Sequence, residues 1–423
     1  MAEDDARFLE IVFSPEFEAL WQAIVDEPIT YGEFCAMDMP AGISPSKLWD
    51  AFSLLKRCMG ESNEIRPWFV NVGKDLCWSY TPKSIEKDLF DLSSLLAPRS
   101  YLNLHVSAKG FFNPVIAENV IEEMGSVARR DGIPLTDEVI RELWLGHRKP
   151  RSKYELIVQN ARSLLAKVPT LAKKNYSMLL ADDINAALVH GAEDVRPIRS
   201  LHFDTQYYDI DRVNDANFVE NSYRSCLAMA NRATEPRDVI FASIVMADAL
   251  WDLSPWPSCN ALTEYLMRIV LGERSGIPAL ACIPLSSKDS AGTDGFSELH
   301  VKEANNTHDQ GLDSTWLYAG QVKILLAGAR DLLGRLEGAE NEEARVRVKI
   351  EETPWLNFRQ KGLLIALRKS PQSYALIKDY AEANKVAYAT ARQDLLELEE
   401  HGLLIKEKME RTFVYRLSPR THW

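Results

Sequence analysis

No apolar run in the 423 residues is long enough to cross a bilayer, which excludes a membrane-spanning helix. The opening stretch MAEDDARFLE is acidic and unlike a secretory leader. Cysteine is sparse. The six, at 35, 58, 77, 226, 259 and 282, form no CxxC pair. This argues against a disulfide scaffold or a thiolate zinc site and points to buried free thiols in a reducing cytoplasm. The eight histidines show neither HExxH nor HxxxH spacing, so no metal site is indicated, and no cofactor is expected.

What is present is an ordinary globular composition, 46% hydrophobic and 26% charged, long enough for two or three domains. The net charge of −12 is unevenly spread. Residues 1–97 carry net −9, residues 354–423 carry net +4, and the stretch between them −7. A basic end on an acidic chain marks an interaction surface there, with nucleic acid as a candidate partner.

Helical periodicity dominates, and the fold class is expected to be mainly α. In residues 1–97, Phe13–Ile24 reads as a helix. Ser44 caps a second, with Leu48, Ala51, Phe52 and Leu55 inward. Trp68–Val72 and Leu76–Tyr80 read as strands around Gly73-Lys74-Asp75, giving a small α/β leader. Further on, Val120–Arg129, Ser152–Lys167, Tyr176–His190, Ala216–Ala233 and Pro236–Leu253 read as helices. In the third of these, Leu179, Leu180, Ile184 and Leu188 are the apolar positions. Residues 197–212 alternate as a strand or hairpin. Residues 286–314 are polar and rich in Gly, Ser, Asp and Asn, as a mobile loop or an inert insertion would be. Trp316–Leu336 is a long helix, and the charged run 337–348 either extends it or links it onward.

The organising stretch is Ala249–Ser286. A helix breaks at Ser254-Pro255-Trp256-Pro257-Ser258, since two prolines so close cannot sit inside a helix. A second helix follows, with Leu262, Leu266, Ile269 and Val270 on one face. It ends at Gly272–Pro278, ahead of an apolar run, Ala279–Leu285.

Helix, tight polar loop, helix, Gly-Ile-Pro and apolar tail resembles the local plan of the Fic family, whose signature HPFxxGNGRxxR lies over Ser254–Tyr265. The resemblance implies a Fic/Fido-like helical core with a small β-hairpin, and it also shows what has been replaced. Ser254 stands for the base histidine and Ser258 for the acidic metal residue. Cys259 and Ala261 stand for the two glycines, and Leu262 and Tyr265 for the phosphate-gripping arginines. Pro255 and Asn260 match, and Trp256 replaces Phe. Without base, acid and clamp, nucleotidyl transfer lacks its machinery, since loss of a general base alone costs about two to four orders of magnitude. The loop reads as a structural corner.

A second similarity to the family is an altered inhibitory motif, (S/T)xxxE(G/N). Asp131-Gly132 falls at its Glu-Gly place, and Ser126 lies one residue out of register. Read from the residues alone, Asp131-Gly132 is a helix C-terminal turn before a new helix at Leu135-Thr136-Asp137-Glu138. The resemblance also puts the 197–212 hairpin near the loop. There His202, Tyr207 and Tyr208 would be near Ser254, and His202 is either a replacement base or a surface residue.

In the last segment, Asn357–Arg368, Ser373–Asn384 and Ala387–Gly402 read as helices. Leu403–Lys408 and Thr412–Leu417 read as strands. Three helices and a β-wing make a winged helix-turn-helix, and YAEANKVAYATARQDLLELEEHGLL resembles regulator modules of that kind. The third helix would enter the major groove, with Tyr388, Thr390, Arg392 and Gln393 at its leading end and Lys406, Lys408 and Arg411 as a basic wing. A winged helix that binds protein or only dimerises is the other reading.

These readings divide the chain into a leader at 1–97, a degenerate Fic-like core at 98–350 and a winged helix domain at 354–423. They describe a cytoplasmic, DNA-binding transcriptional regulator and homodimer, without a membrane role, contacting double-stranded DNA through its C-terminal domain. Two alternatives remain. One is a divergent Fic-type AMP transferase acting on a protein hydroxyl. The other is a non-catalytic module holding a nucleotide or protein ligand at the Fic-like pocket.

Overall fold

A computed structural model describes residues 14–39, 44–59, 79–192, 216–284, 313, 315–369, 373–409 and 412–419. The chain divides into two compact units, Met1–Leu333 and Gly334–Trp423. It is mainly α, and the described residues hold one two-stranded antiparallel sheet.

The first unit begins with α1 (Pro15–Asp26), α2 (Tyr31–Cys35) and α3 (Pro45–Met59). Their starts are written in short polar residues. Ser14 accepts from the Phe17 N–H, Thr30 and Glu33 form a capping box, and Ser44 accepts from the Lys47 N–H at 3.4 Å. Phe17, Phe34, Trp49 and Phe52 form an aromatic core, with the Phe17 and Phe52 rings 4.6 Å apart. Leu48 and Phe52 are buried as expected, but Leu55 is 40% exposed. Lys56 takes its place inside. Its long aliphatic stem packs like an apolar side chain, and its ammonium lies 4.9 Å from the Trp49 ring and 5.4 Å from that of Tyr80. The strands expected at 68–72 and 76–80 lie outside the described residues, apart from Ser79 and Tyr80, which belong to no strand.

Next come α4 (Lys83–Leu95), α5 (Tyr101–Lys109), α6 (Pro114–Arg130), α7 (Asp137–Leu145), α8 (Lys153–Leu165), α9 (Val168–Leu171) and α10 (Met178–Val189). The unit continues with α11 (Ala216–Arg232), α12 (Pro236–Leu253), α13 (Asn260–Arg274), a 3-10 turn at Pro278–Cys282 and the first part of α14 (Thr315–Glu352). The charged run 337–348 therefore extends the long helix. The 197–212 stretch lies outside the described residues, as does 286–314 apart from Asp313. In α10 Leu179 points outward, 71% exposed, while Asn185 sits on the stripe of Ala181, Ile184 and Leu188.

Helix α13 is the centre of this unit. The sequence marks one apolar face, yet every residue from Leu262 to Gly272 is buried. The cause is packing on all sides: α6, α8, α9, α10, α12 and the 3-10 turn all touch it. Buried leucine, isoleucine and valine side chains along it stabilise the bundle by about 1.5–3 kcal/mol each. Its polar residues are enclosed too. Arg268 lies 2.5 Å from Glu123 of α6 and 3.4 Å from Glu264, all three fully buried.

The second unit contains the end of α14, then α15 (Phe358–Lys369), α16 (Ile377–Asn384), α17 (Tyr388–Glu400), β1 (Leu404–Met409) and β2 (Thr412–Leu417). Its core joins Val346, Ile350, Leu364, Leu367, Tyr380, Leu395, Leu398, Leu404 and Tyr415. Helix α16 starts later than the sequence indicates because Ala375 is extended. Ala375 and Tyr415 exchange backbone hydrogen bonds of 2.8 and 2.9 Å. Lys385 turns the chain between α16 and α17 in the left-handed conformation, φ +53°.

Candidate functional site

The corner between α12 and α13 is held by its own side chains. Asn260 accepts from the Trp256 N–H at 3.0 Å and donates to the Trp256 carbonyl at 2.8 Å, closing the loop between them. Trp256 is buried. Its indole N–H donates to Asp182 of α10 at 2.9 Å, and Tyr223 of α11 meets its ring edge-on. Asn185 donates to the Ser258 carbonyl at 2.9 Å and to the Thr263 hydroxyl at 3.0 Å. The Thr263 hydroxyl in turn donates to the Cys259 carbonyl.

Two non-glycine residues bound this loop in the left-handed region, Ser254 at φ +42° and Cys259 at φ +59°. For an L residue that conformation costs roughly 1–2 kcal/mol. Cys259 stands where the Fic signature has glycine, which adopts it freely. Its thiol is buried, and burial, then the nearby Asp131 charge, push it up to about 12 despite a hydrogen bond from Ser258. Such a thiol is no nucleophile at neutral pH.

Helix α13 carries no side-chain cap of its own. Asp131, at the end of α6, supplies one from 130 residues away. Its Oδ1 accepts from the Ala261 N–H at 2.9 Å and its Oδ2 from the Leu262 N–H at 2.8 Å. These N–H groups at a helix start are the kind that hold anions, and here a carboxylate of the chain already uses them. Burial raises Asp131 to about 6. The N–H groups of Ala261, Leu262 and Asn260, with the Arg130 charge, pull the other way. The turn itself is the one read from sequence, with Gly132 at φ +72° and α7 capped by Thr136. The bond to α13 is the addition. Ser126 is buried on α6.

The two positions that the sequence resemblance would make phosphate-gripping are closed. Leu262 and Tyr265 are fully buried, and the Tyr265 hydroxyl donates to the Ala281 carbonyl at 3.3 Å. Ser254, Pro255, Ser258, Asn260 and Ala261 are half-buried. His202, Tyr207 and Tyr208 lie outside the described residues.

A Fic family protein is similar to this chain. It is a crystal structure from Desulfovibrio desulfuricans G20, 14% identical, covering 80% of this chain and 97% of that one, with a TM-score of 0.46. No family profile matches the sequence, and no curated protein matches it. Among the described residues no His, Cys, Asp and Glu group is arranged to hold a metal ion. None of their helices is long and apolar enough to cross a membrane.

A second surface lies in the C-terminal unit. Tyr388, Thr390, Arg392 and Gln393 of α17 are exposed, as are Lys406 and Lys408 of β1; Arg411 lies outside the described residues. Helix α17 is fixed from beneath by Asp394. That buried carboxylate accepts from the Arg359 guanidinium at 2.8 and 3.1 Å, from the Asn357 amide at 2.8 Å and from the Tyr380 hydroxyl at 3.2 Å. One acid thereby ties α17 to α15 and α16.

Sequence reading passed over Asp182, Asn185, Tyr223, Glu123 and Arg268. Asn185 left a trace, a polar residue within an apolar helical stripe. Asp182 left none, because its partner is an indole 74 residues away.

Proposed function

We propose that the chain is a DNA-binding transcriptional regulator, with a winged helix-turn-helix in its C-terminal unit and a Fic-like core that has lost transferase chemistry. The observation that carries this reading is the run α16, left-handed turn, α17 and antiparallel hairpin in one compact unit, with Tyr388, Thr390, Arg392, Gln393, Lys406 and Lys408 exposed on it. In such an arrangement the start of α17 would reach base edges, and the lysines would contact phosphates. The Ala375–Tyr415 pairing adds the short extended segment that braces a wing against the helices.

The core supports the reading by what its corner does. The loop between α12 and α13 has Cys259 in a conformation that glycine favours and is closed by Asn260. Asp131 holds the N–H groups that a phosphate would need, and neutral Leu262 and Tyr265 fill the clamp positions. This disfavours both AMP transfer and nucleotide storage there. The core would serve as the dimerisation or sensing body, and a homodimer would join two half-sites.

The test is binding of the full-length protein to a duplex library from its own genomic neighbourhood at near-physiological salt. Controls are a chain without residues 354–423 and the double variant Arg392→Ala, Thr390→Ala. Selective binding lost in both controls supports the regulator. Absence of selective binding at any salt overturns it.

A further inference from the structure

The hairpin has two unlike faces. In the pairing register Lys406 is opposite Tyr415 and Lys408 opposite Phe413, and residues directly opposite share a face. Leu404 and Tyr415 begin that face inside the core, and Lys406, Lys408 and Phe413 carry it outward into solvent. On the reverse face the exposed charges are neutralised internally, Arg416 meeting Glu407 at 3.1 Å and covering the Tyr374 ring. Lys406 and Lys408 have no ion-pair partner among the described residues.

Helix α17 packs against β1. Tyr388 and Arg392 at the start of α17 and Lys406, Lys408 and Phe413 of the hairpin are all exposed. Phe413 is 50% exposed, and the Lys406 ammonium sits 4.6 Å from its ring centroid. That pairing orients a large apolar side chain beside a charge free to meet a phosphate.

We propose that Phe413 is an apolar wedge that presses against a base step of bound duplex DNA, while Lys406 beside it contacts the flanking phosphate. The proposal rests on the duplex-binding reading above. Apolar side chains inserted at a base step unstack it and kink the duplex, and pyrimidine–purine steps yield most easily. Phe413 would thus favour sites carrying a deformable step where the wing lies, a preference made without any hydrogen bond to a base.

The experiment uses full-length protein and the duplex selected by the library, with aminopurine placed in turn along the region beyond the α17 contacts. Wild type is expected to raise fluorescence at one step. Phe413→Ala is expected to lose that rise and about tenfold in affinity, the range of one lost stacking contact. Phe413→Leu is expected to keep most of both. Lys406→Ala is expected to flatten the salt dependence by about one counterion while the fluorescence rise remains. Unchanged fluorescence and affinity in Phe413→Ala, with Arg392→Ala still abolishing binding, would overturn the wedge and leave the duplex reading standing. Failure of wild type to select any duplex overturns both. If Phe413→Ala instead shifts the protein to a smaller oligomer in sedimentation, the face is a contact between copies and the wedge is wrong.

Discussion

Asp131 and Leu262 are joined across the first unit by a 2.8 Å hydrogen bond, the Leu262 N–H donating to the carboxylate. With the bond from Ala261 it caps the central helix α13 from outside. Replacing Asp131 by Ala leaves both donors unanswered, the Leu262 N–H in a buried place. The loss is expected to be about 1–3 kcal/mol, read from urea unfolding of the first unit. A change within error would mean that water replaces the carboxylate.

The same carboxyl makes stability depend on pH. Its ordinary value is 3.8 and burial, the largest influence, lifts it to about 6 in the folded chain. The folded state therefore holds a proton that the unfolded chain releases between those values. The associated stability is complete below pH 3.8 and is lost as pH rises through about 6. Wild type should lose stability relative to Asp131→Asn across that window. Parallel curves for the two proteins would refute the assignment.

Cys259 combines a left-handed backbone with a fully buried side chain. Cys259→Gly relieves the first and gives up the second, so its stability should stay within about 1 kcal/mol of wild type. Cys259→Val keeps the bulk but adds β-branching at positive φ, and should cost more than about 2 kcal/mol. Reversal of that order in thermal melts would show that packing, not backbone, governs the corner.

Arg268 holds two buried acids. Arg268→Met takes away the guanidinium that both buried acids meet, and is expected to cost about 3–5 kcal/mol. The triple change Glu123→Leu, Glu264→Leu, Arg268→Met removes these three charges together and should recover much of that loss. If the triple variant is no more stable than the single one, the charges are not what the single change disturbs.

In the second unit Asp394→Ala frees Arg359, Asn357 and Tyr380 at once. The unit is expected to lose about 2–4 kcal/mol, as when a buried charged hub is removed. Any duplex affinity should fall with it, because α17 would no longer be fixed. A variant with the melting profile of wild type but no DNA binding would instead place Asp394 on the contact surface.

Much of this architecture could be read from local pattern. Ser44 and Thr136 start their helices where capping rules put them, because an N-cap acts over three residues. The corner at Ser254–Ser258 was legible from two prolines. Leu55 and Leu179 were misplaced because periodicity gives a stripe but not its edge, and a lysine stem or a hydrogen-bonded asparagine filled the inward place. Asp131 was visible as a turn residue, but its bond to α13 was not. Its partners are backbone N–H groups, which every residue except proline carries, so no residue type at 261 or 262 announces the contact. Enclosure of Glu264 and Arg268 was hidden for a related reason, since burial on all sides follows from the helices around α13 and not from its own residues.

Asn260 returns both ends of its amide to the backbone of Trp256. With Pro255 it is one of the two places where the sequence resembles the Fic signature. Both concern shape. A corner held this way rests on backbone contacts and asks for no reactive side chain. A search that asks for Pro-Trp-x-x-x-Asn between two apolar helices, with an Asp-Gly turn well upstream, would gather such chains by their geometry, and the DNA-binding question could then be put to them as a group.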